Sequence, residues 1–134
     1  MPSRAVKDAV EARLATWAHI GQCPAHSINS MSDAPGSMFI DTEYPIAREE
    51  QMSIGSPAVF REEGAIRFVM YLDALAGINT ALTYADEVRD LFRNAEFSGV
   101  RCFEASPPVF NASFTTRGFF QVPFVVTYDY DTQK

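Results

Sequence analysis

Two stretches of this sequence alternate between large apolar side chains and other side chains, and that pattern limits the fold more than any other feature. The alternation covers residues 66–73 and, over a longer distance, residues 119–130. Successive side chains of a β-strand point to opposite faces, so a period of two is typical of a half-buried strand. The side chains expected to face a core are Ile66, Phe68, Met70, Leu72, Phe120, Val122, Phe124, Val126, Tyr128 and Tyr130.

Two other stretches have the period of a helix. The first predicted helix covers residues 3–19, with Ser3 as the N-cap whose side-chain oxygen accepts a backbone N–H. The second covers residues 80–95, with Asn79 or Thr80 as its cap and charged residues on its other side. The apolar stripes of the two helices consist of Val6, Val10, Leu14 and Trp17, and of Ala81, Leu82, Ala85, Val88, Leu91, Phe92 and Ala95.

The other predicted strands are shorter. The sequence allows a strand over residues 25–28 and predicts strands over residues 38–44 and 100–105. We expect Pro45 to end the strand before it, and a long strand to begin near residue 58. Pro123 cannot donate a ladder hydrogen bond, which predicts that the last strand lies at a sheet edge or carries a bulge there.

The order of these elements predicts the fold class. Helices and strands that alternate irregularly favour an α+β fold, here a two-layer sandwich. We expect a mixed, mostly antiparallel sheet with the two main helices on one face. Because 134 residues are too few for two ordinary domains, we expect a single domain over residues 1–134.

Composition excludes several classes of protein. Seventeen acidic and 11 basic side chains give a net charge of −6, which argues against a protein that grips nucleic acid. The longest apolar run, residues 68–72, is far shorter than the roughly 18 residues of a membrane span. Two cysteines are too few for a disulfide scaffold, and the N-terminus lacks the apolar stretch of a signal peptide. We therefore expect a soluble, acidic, intracellular protein with no membrane partner.

One cluster has the spacing of metal ligands. His19, Cys23 and His26 follow an H-x3-C-x2-H pattern, and Asp33 is the nearest further carboxylate. A structural zinc site needs four protein ligands and a catalytic one needs three plus water. The trio spans a helix end and a proline, and no second Cys or His pair completes it. We favour ordinary loop residues and expect no metal or cofactor.

The paired carboxylates do not indicate an enzyme either. Glu62-Glu63 lie on a predicted extended run, where neighbours point to opposite faces, and Glu49-Glu50 lie in the polar segment after Pro45, so both pairs fit solvated surface charge. Asp86-Glu87 falls on the predicted solvent side of the second helix. No nucleophile elbow, phosphate loop or dinucleotide fingerprint is present, and Cys102 fits a small core residue. We therefore assign no catalytic residue.

The whole pattern resembles one known family, the tail terminator proteins of long non-contractile phage tails. The similarity covers essentially the full chain and rests on the order and spacing of its elements. The matching features are the helix ending near Trp17, the strand at 38–44, Glu63-Gly64 and the strand to Leu72, Gly77, the helix with Ala85-Asp86 and Phe92, Gly99-Val100, and Arg117-Gly118-Phe119 opening a strand that ends with Val126-Thr127-Tyr128.

This resemblance implies a structural protein of the virion. Family members form a six-membered ring on the completed tail tube, end tube polymerisation and offer a joining surface to head-completion proteins. The implied partners are further copies of the chain, the tail tube protein and a head-completion or neck protein. The implied location is the neck-proximal end of the tail, reached after assembly in the host cytoplasm.

The segment of residues 46–63 supplies the interface and lumen candidates. It lies between two predicted strands and combines charges with apolar residues, as functional loops often do. For the ring, we expect the edge strand around Pro123 and the loop 45–57 to be the two complementary faces. Six chains would carry a charge of −36 in total, so DNA would pass without specific binding. The candidates are Arg48, Glu49, Glu50, Met52, Ile54, Arg61, Glu62 and Glu63.

Two other classes of function stay open at this point. A small-molecule-binding α+β domain would need a pocket with a few converging polar groups. A small metal-dependent enzyme would need His19, Cys23 and His26 to form a real site, which metal analysis of the pure protein would test.

Overall fold

The computed structural model describes residues 3–21, 23, 25–26, 39–73, 78–108 and 119–134. The predicted loops at 22–37 and after Pro108, the Gly77 turn and Arg117-Gly118 lie wholly or mostly outside these ranges. No helix in the described ranges is long and apolar enough to cross a membrane. The elements in chain order are α1 (Arg4–Leu14), β1 (Ala25–His26), β2 (Phe39–Gln51), β3 (Val59–Asp73), α2 (Ile78–Phe92), β4 (Glu96–Phe97), β5 (Val100–Ala105) and β6 (Phe119–Gln133).

The described strands form one sheet in the order β1-β2-β3-β6-β5-β4. β1 pairs with β2 in parallel, and every other pair is antiparallel. The two strands with the clearest alternation, β3 and β6, lie at the centre and pair from Val59 opposite Gln133 to Asp73 opposite Phe119. The α+β class and the mixed, mostly antiparallel sheet are therefore confirmed.

The core lies between one face of the sheet and the two helices. Phe68 of β3 contacts Phe92 of α2 and Phe124 of β6, with ring centroids 4.9 and 5.4 Å apart. Alternate residues of the strands and every third or fourth residue of the helices point towards this cluster, as expected for the two kinds of element. Its members include Val6, Val10, Leu14, Ile66, Phe68, Met70, Ala85, Val88, Phe92, Val122, Phe124, Val126 and Tyr128.

Helix α1 is shorter than predicted, and its N-cap residue makes a different contact from the one expected. It ends at Leu14, although Trp17 beyond it is still buried against the core. Ser3 occupies the N-cap position with extended backbone, but its side chain makes no cap hydrogen bond. Its backbone N–H instead donates to the carboxylate of Glu62. At the other end Arg13 fixes α1 to α2 by donating to the carbonyl of Leu91.

Pro45 does not end β2, contrary to our prediction. The strand continues to Gln51, and the register shifts between Glu43 and Ile46 so that two residues of β2 oppose one of β3. Such a bulge accommodates a proline in a strand, because the ladder is already interrupted there. The predicted loop therefore belongs largely to the sheet.

The last strand is not an edge strand over its whole length. β6 lies between β3 and β5, so the prediction that the last strand is an edge strand is wrong for the strand as a whole. However, β5 ends at Ala105 opposite Val126, and Val125 N–H faces that side by donating to Ser106 Oγ. Pro123 is two residues before Val125, so its backbone nitrogen points to the same side of β6. On that side the described pairing with β5 has already ended, so the missing N–H of Pro123 costs no ladder hydrogen bond there.

Two smaller differences concern the second helix and the strand after it. α2 begins at Ile78, so Asn79 and Thr80 lie within its first turn instead of capping it. β4 is a two-residue strand that the sequence did not indicate, and it pairs with the beginning of β5. The turn between them uses Ser98 and Gly99 at positive φ, 49° and 83°, as a tight hairpin requires.

Candidate functional site

The eight interface candidates all lie on one β-hairpin. We call the hairpin arm residues 46–63, which comprise the second half of β2, a turn and the beginning of β3. Its strands pair in strict register as far as Gln51 opposite Phe60. The turn at residues 52–58 is thus much shorter than the loop that the sequence predicted.

The end of β6 supports the arm along the other side of β3. Ala58 and Lys134 exchange two backbone hydrogen bonds, at 2.8 and 3.0 Å, at the base of the turn. Val59 N–H donates to Ser53 Oγ at 2.8 Å, which closes the turn itself. The arm is therefore a three-stranded part of the sheet, held by ladder hydrogen bonds on both sides of β3.

Glu62 is a structural anchor on the face that the helices cover. Its carboxylate accepts the Tyr128 hydroxyl at 2.7 Å and the backbone N–H of Ser3 at 3.2 Å, directly before α1. A carboxylate at a helix N-terminus also interacts favourably with the helix dipole. Burial, together with the bond to Glu62, raises the pKa of Tyr128, so its hydroxyl stays a donor. Glu62 therefore joins the arm to α1.

Ion pairs cover the outer face of the arm, which is the face away from the helices. Arg61 Nε donates to Asp131 at 2.8 Å, and Arg101 bridges Asp129 and Asp131. The hydrogen bond from Arg61 is the main cause that holds the pKa of Asp131 below its ordinary value. Arg61 is thus committed to a network that ties β3 to β6 and β5.

The remaining charged candidates are more exposed. Arg48 and Glu63 pair at 3.3 Å across β2 and β3. Glu49 and Glu50 are exposed, and neither has an ion pair within the described part of the chain. The paired carboxylates Glu49-Glu50 and Glu62-Glu63 point to alternate faces, as expected for strands.

The turn of the arm is uncharged and carries two exposed apolar side chains. Met52 is 47% exposed and Ile54 is 98% exposed. No charged residue occurs between residues 52 and 58. Exposed single apolar residues are common, but two in one short uncharged turn form an apolar patch that is suited to contact with another chain.

The outer face also has a second exposed apolar area, which the sequence alone did not lead us to predict. Phe103 of β5 is 48% exposed and Ile46 of β2 is 60% exposed, both on the outer face. Ala65 and Thr127 lie between them in the strand register. The signal was available, because Cys102 faces the core and alternation therefore turns Phe103 outward.

The residues with metal-ligand spacing have other surroundings. His19 Nδ1 lies 2.7 Å from a carboxylate oxygen of Glu87, and its ring stacks on Tyr84. Cys23 is fully buried, and burial raises the pKa of its thiol to about 12. The side chain of His26 and all of Asp33 lie outside the described residues. Within the described residues no three potential ligands form a cluster.

Glu87 corrects one prediction. The sequence predicts that it faces solvent from α2, but its carboxylate accepts the Trp17 indole N–H at 3.0 Å and also contacts His19. Asp86 does remain on the exposed side, where it pairs with Arg89. Glu87 therefore connects α2 to the segment after α1, which is why Trp17 stays in the core beyond the helix end.

Comparison with known families shows which protein family the chain belongs to. A family model described as phage tail terminator protein matches residues 5–128, nearly the whole chain and all of the hairpin arm. The chain belongs to the phage tail terminator family. No curated protein matches it.

Membership of the tail terminator family establishes the general role. The protein is a structural component of the bacteriophage tail, and it takes part in tail assembly with other tail proteins. Its place in the virion is the tail. The resemblance inferred from the order of elements is therefore confirmed.

Proposed function

We propose that this tail terminator acts as a single domain over residues 1–134 that forms a closed six-membered ring on the end of the tail tube. The ring ends tube polymerisation and provides the surface that joins the neck-proximal end of the tail to a head-completion protein. The protein assembles in the host cytoplasm, acts without turnover and needs no cofactor. The family match supports the tail role, and the hairpin arm supports the contact.

The observation that carries this proposal is the exposed apolar turn on a firmly held arm. Ile54 is 98% exposed, although full burial of such a side chain is favourable by about 1.5–3 kcal/mol. Anchors at Glu62, Arg61 and Ala58 hold the arm through other elements of the same chain. A held arm loses little conformational entropy on binding, which favours association.

Among the acidic candidates, we propose Glu49 and Glu50 for the lumen of the ring. Glu62 is bound by Ser3 and Tyr128, so it is a poor candidate for a free charge. Glu63 is partly neutralised by Arg48. Glu49 and Glu50 are the two acidic candidates that retain exposed carboxylates, and like charge there would keep DNA from adhering to the ring.

The test replaces the turn without touching the strands. Because Gln51 pairs with Phe60, the replacement should cover only residues 52–57, with a Gly/Ser turn of equal length. We expect an unchanged far-ultraviolet circular dichroism spectrum, loss of the ring mass in solution and failure to stop tube growth. Mass is measured by light scattering with and without tail tubes, and tube length by electron microscopy.

A matched point variant controls for general damage to the turn. Ile54→Ser removes the apolar contact, whereas Ile54→Val keeps most of it, and both leave the described intrachain hydrogen bonds in place. Rings and normal tube lengths with Ile54→Val but not with Ile54→Ser would support the proposal. Rings and normal lengths with the replaced turn would show that the turn has no part in assembly.

A further inference from the structure

The outer face of the sheet contains a groove beside β5. One part, of about 270 Å³, is lined by Gly64, Phe103 and Thr127, with Glu63 and Asp129 at its border. An adjoining part of about 370 Å³ shares Thr127. The groove lies beside the register shift between Cys102 and Ala105, where the ladder between β5 and β6 is interrupted. The second part is lined by Glu104, Ala105, Ser106, Pro107, Val125 and Thr127.

The groove is apolar at its centre and has one uncommitted charge. Phe103 supplies the exposed ring, and Val125 and Thr127 form the floor. Glu63 and Asp129 are each paired with an arginine. Glu104 is exposed and has no ion pair with any residue that the structure describes. A partner that fits this groove would bring an apolar side chain and a cation.

The turn of the hairpin arm carries that combination. Ile54 and Met52 are its exposed apolar side chains. Lys134 is hydrogen-bonded through its backbone to Ala58, the last residue of the turn, so its backbone lies at the base of the same turn. Its side chain is exposed, and in the described ranges no carboxylate pairs with it.

The turn cannot reach the groove of its own chain. The groove lies level with Ile46 along the strands, because Ile46, Ala65 and Thr127 are neighbours in register. Met52 is six residues further along β2, which corresponds to about 20 Å at about 3.4 Å per residue. The rows of ion pairs around Glu63 and Arg61 lie between them. A turn that fills this groove must therefore come from another chain.

We propose that the turn of each copy docks in the outer-face groove of its neighbour, with Ile54 against Phe103 and Lys134 beside Glu104. This inference rests on the proposed ring. The contact joins two different surfaces, and such head-to-tail contacts close into a ring when the rotation per subunit permits. Each copy supplies one turn and one groove, so every turn in a closed ring has a groove to fill. The groove on β5 and β6 replaces the strand edge around Pro123 as the second face.

Cysteine cross-linking tests the contact directly. Ile54→Cys and Phe103→Cys proteins are mixed under ring-forming conditions and oxidised mildly, and we expect a disulfide-linked dimer only in the mixture. The native thiols interfere little, because Cys23 and Cys102 are buried. The control mixes Ile54→Cys with Asp90→Cys, an exposed position on α2, and should give no dimer.

A charge exchange provides a second, independent test. Glu104→Lys and Lys134→Glu should each weaken association about threefold to fivefold, as expected for an exposed ion pair. The double variant Glu104→Lys/Lys134→Glu restores opposite charges between neighbours and should recover wild-type association. Failure of the double variant to recover would contradict the pairing.

Measuring the mass of the wild-type assembly distinguishes failure of the docking proposal from failure of the ring proposal. Rings that form normally without the mixed cross-link would overturn the groove assignment and leave the ring intact. Dimers of Ile54→Cys with itself would also overturn it, since the contact would then be symmetric. A wild-type protein that stays monomeric even on assembled tails would refute the ring, and the docking inference with it.

Discussion

Replacing Gly64 with alanine would place a methyl group where the main chain of β2 and a tyrosine ring already lie. The new Cβ would overlap the carbonyl oxygen of Ile46 and lie 2.9 Å from Tyr128 Cε1. A backbone oxygen cannot rotate away, so β2 and β3 must separate at the base of the hairpin arm. Overpacking of this kind costs about 1–3 kcal/mol.

Displacement of the ring adds a second cost. Tyr128 donates to Glu62 at 2.7 Å, and hydrogen bonds to charged groups contribute about 1.5–3 kcal/mol. Since part of that bond would survive a small shift, we expect Gly64→Ala to lower the free energy of unfolding by about 2–4 kcal/mol in total. For a chain of this length, that corresponds to a Tm decrease of about 6–20 °C.

Thermal unfolding followed by circular dichroism measures this decrease. Gly21→Ala is the matched control, because its new Cβ would have no atom within 4 Å and its φ is not positive. We expect its Tm to change by less than about 2 °C. If Gly64→Ala had the Tm of Gly21→Ala, the close packing of Tyr128 on Gly64 would not be what fixes the arm.

Three further predictions concern buried or paired groups. Glu62→Gln keeps the shape but removes the charge that accepts two hydrogen bonds, so Tm should fall by about 3–8 °C. Asp131 has its pKa lowered chiefly by Arg61, so its stabilisation is present above about pH 4 and is lost as pH falls through the lowered value. Asp131→Asn should therefore cost about 0.5–1 kcal/mol at pH 7 and flatten the acid part of a Tm-against-pH curve. Burial raises the pKa of Cys23 and Cys102 to about 12, so at about pH 8 both thiols should react with an aromatic disulfide reagent only in urea.

The sequence predicted those parts of the fold whose residues follow a local period. β6 buries alternate side chains from Val122 to Tyr128, and α2 buries a stripe of helical period. In β3 the alternating residues Ile66, Phe68 and Met70 face the core, although Val69 on the other face is buried as well. A strand or helix that packs one side against the core shows this in its own sequence, so the pattern can be recognised without knowing which element packs against it. The fold class followed from their order.

The errors came from contacts between residues far apart in sequence. Pro45 looks like the end of a strand in the sequence, but it lies in a bulge of β2 that only the pairing with β3 reveals. Ser3 has a capping side chain, but the orientation of its N–H towards Glu62 depends on a residue in β3. Glu87 looks solvent-facing until the chain beyond α1 brings Trp17 to it. Local patterns contain no information about these partners.

The same long-range contacts make the candidate site testable. The anchors of the hairpin arm, at Glu62, Arg61 and Ala58, lie at the base of its turn or in β3, whereas the Ile54 side chain at the tip is 98% exposed. Removing that side chain therefore takes almost no buried apolar area from the single chain, so Tm of the monomer should not change. A loss of assembly at constant Tm would place the role of Ile54 between chains. A loss of Tm would place it within the chain, and the interface would then have to be sought elsewhere on the sheet.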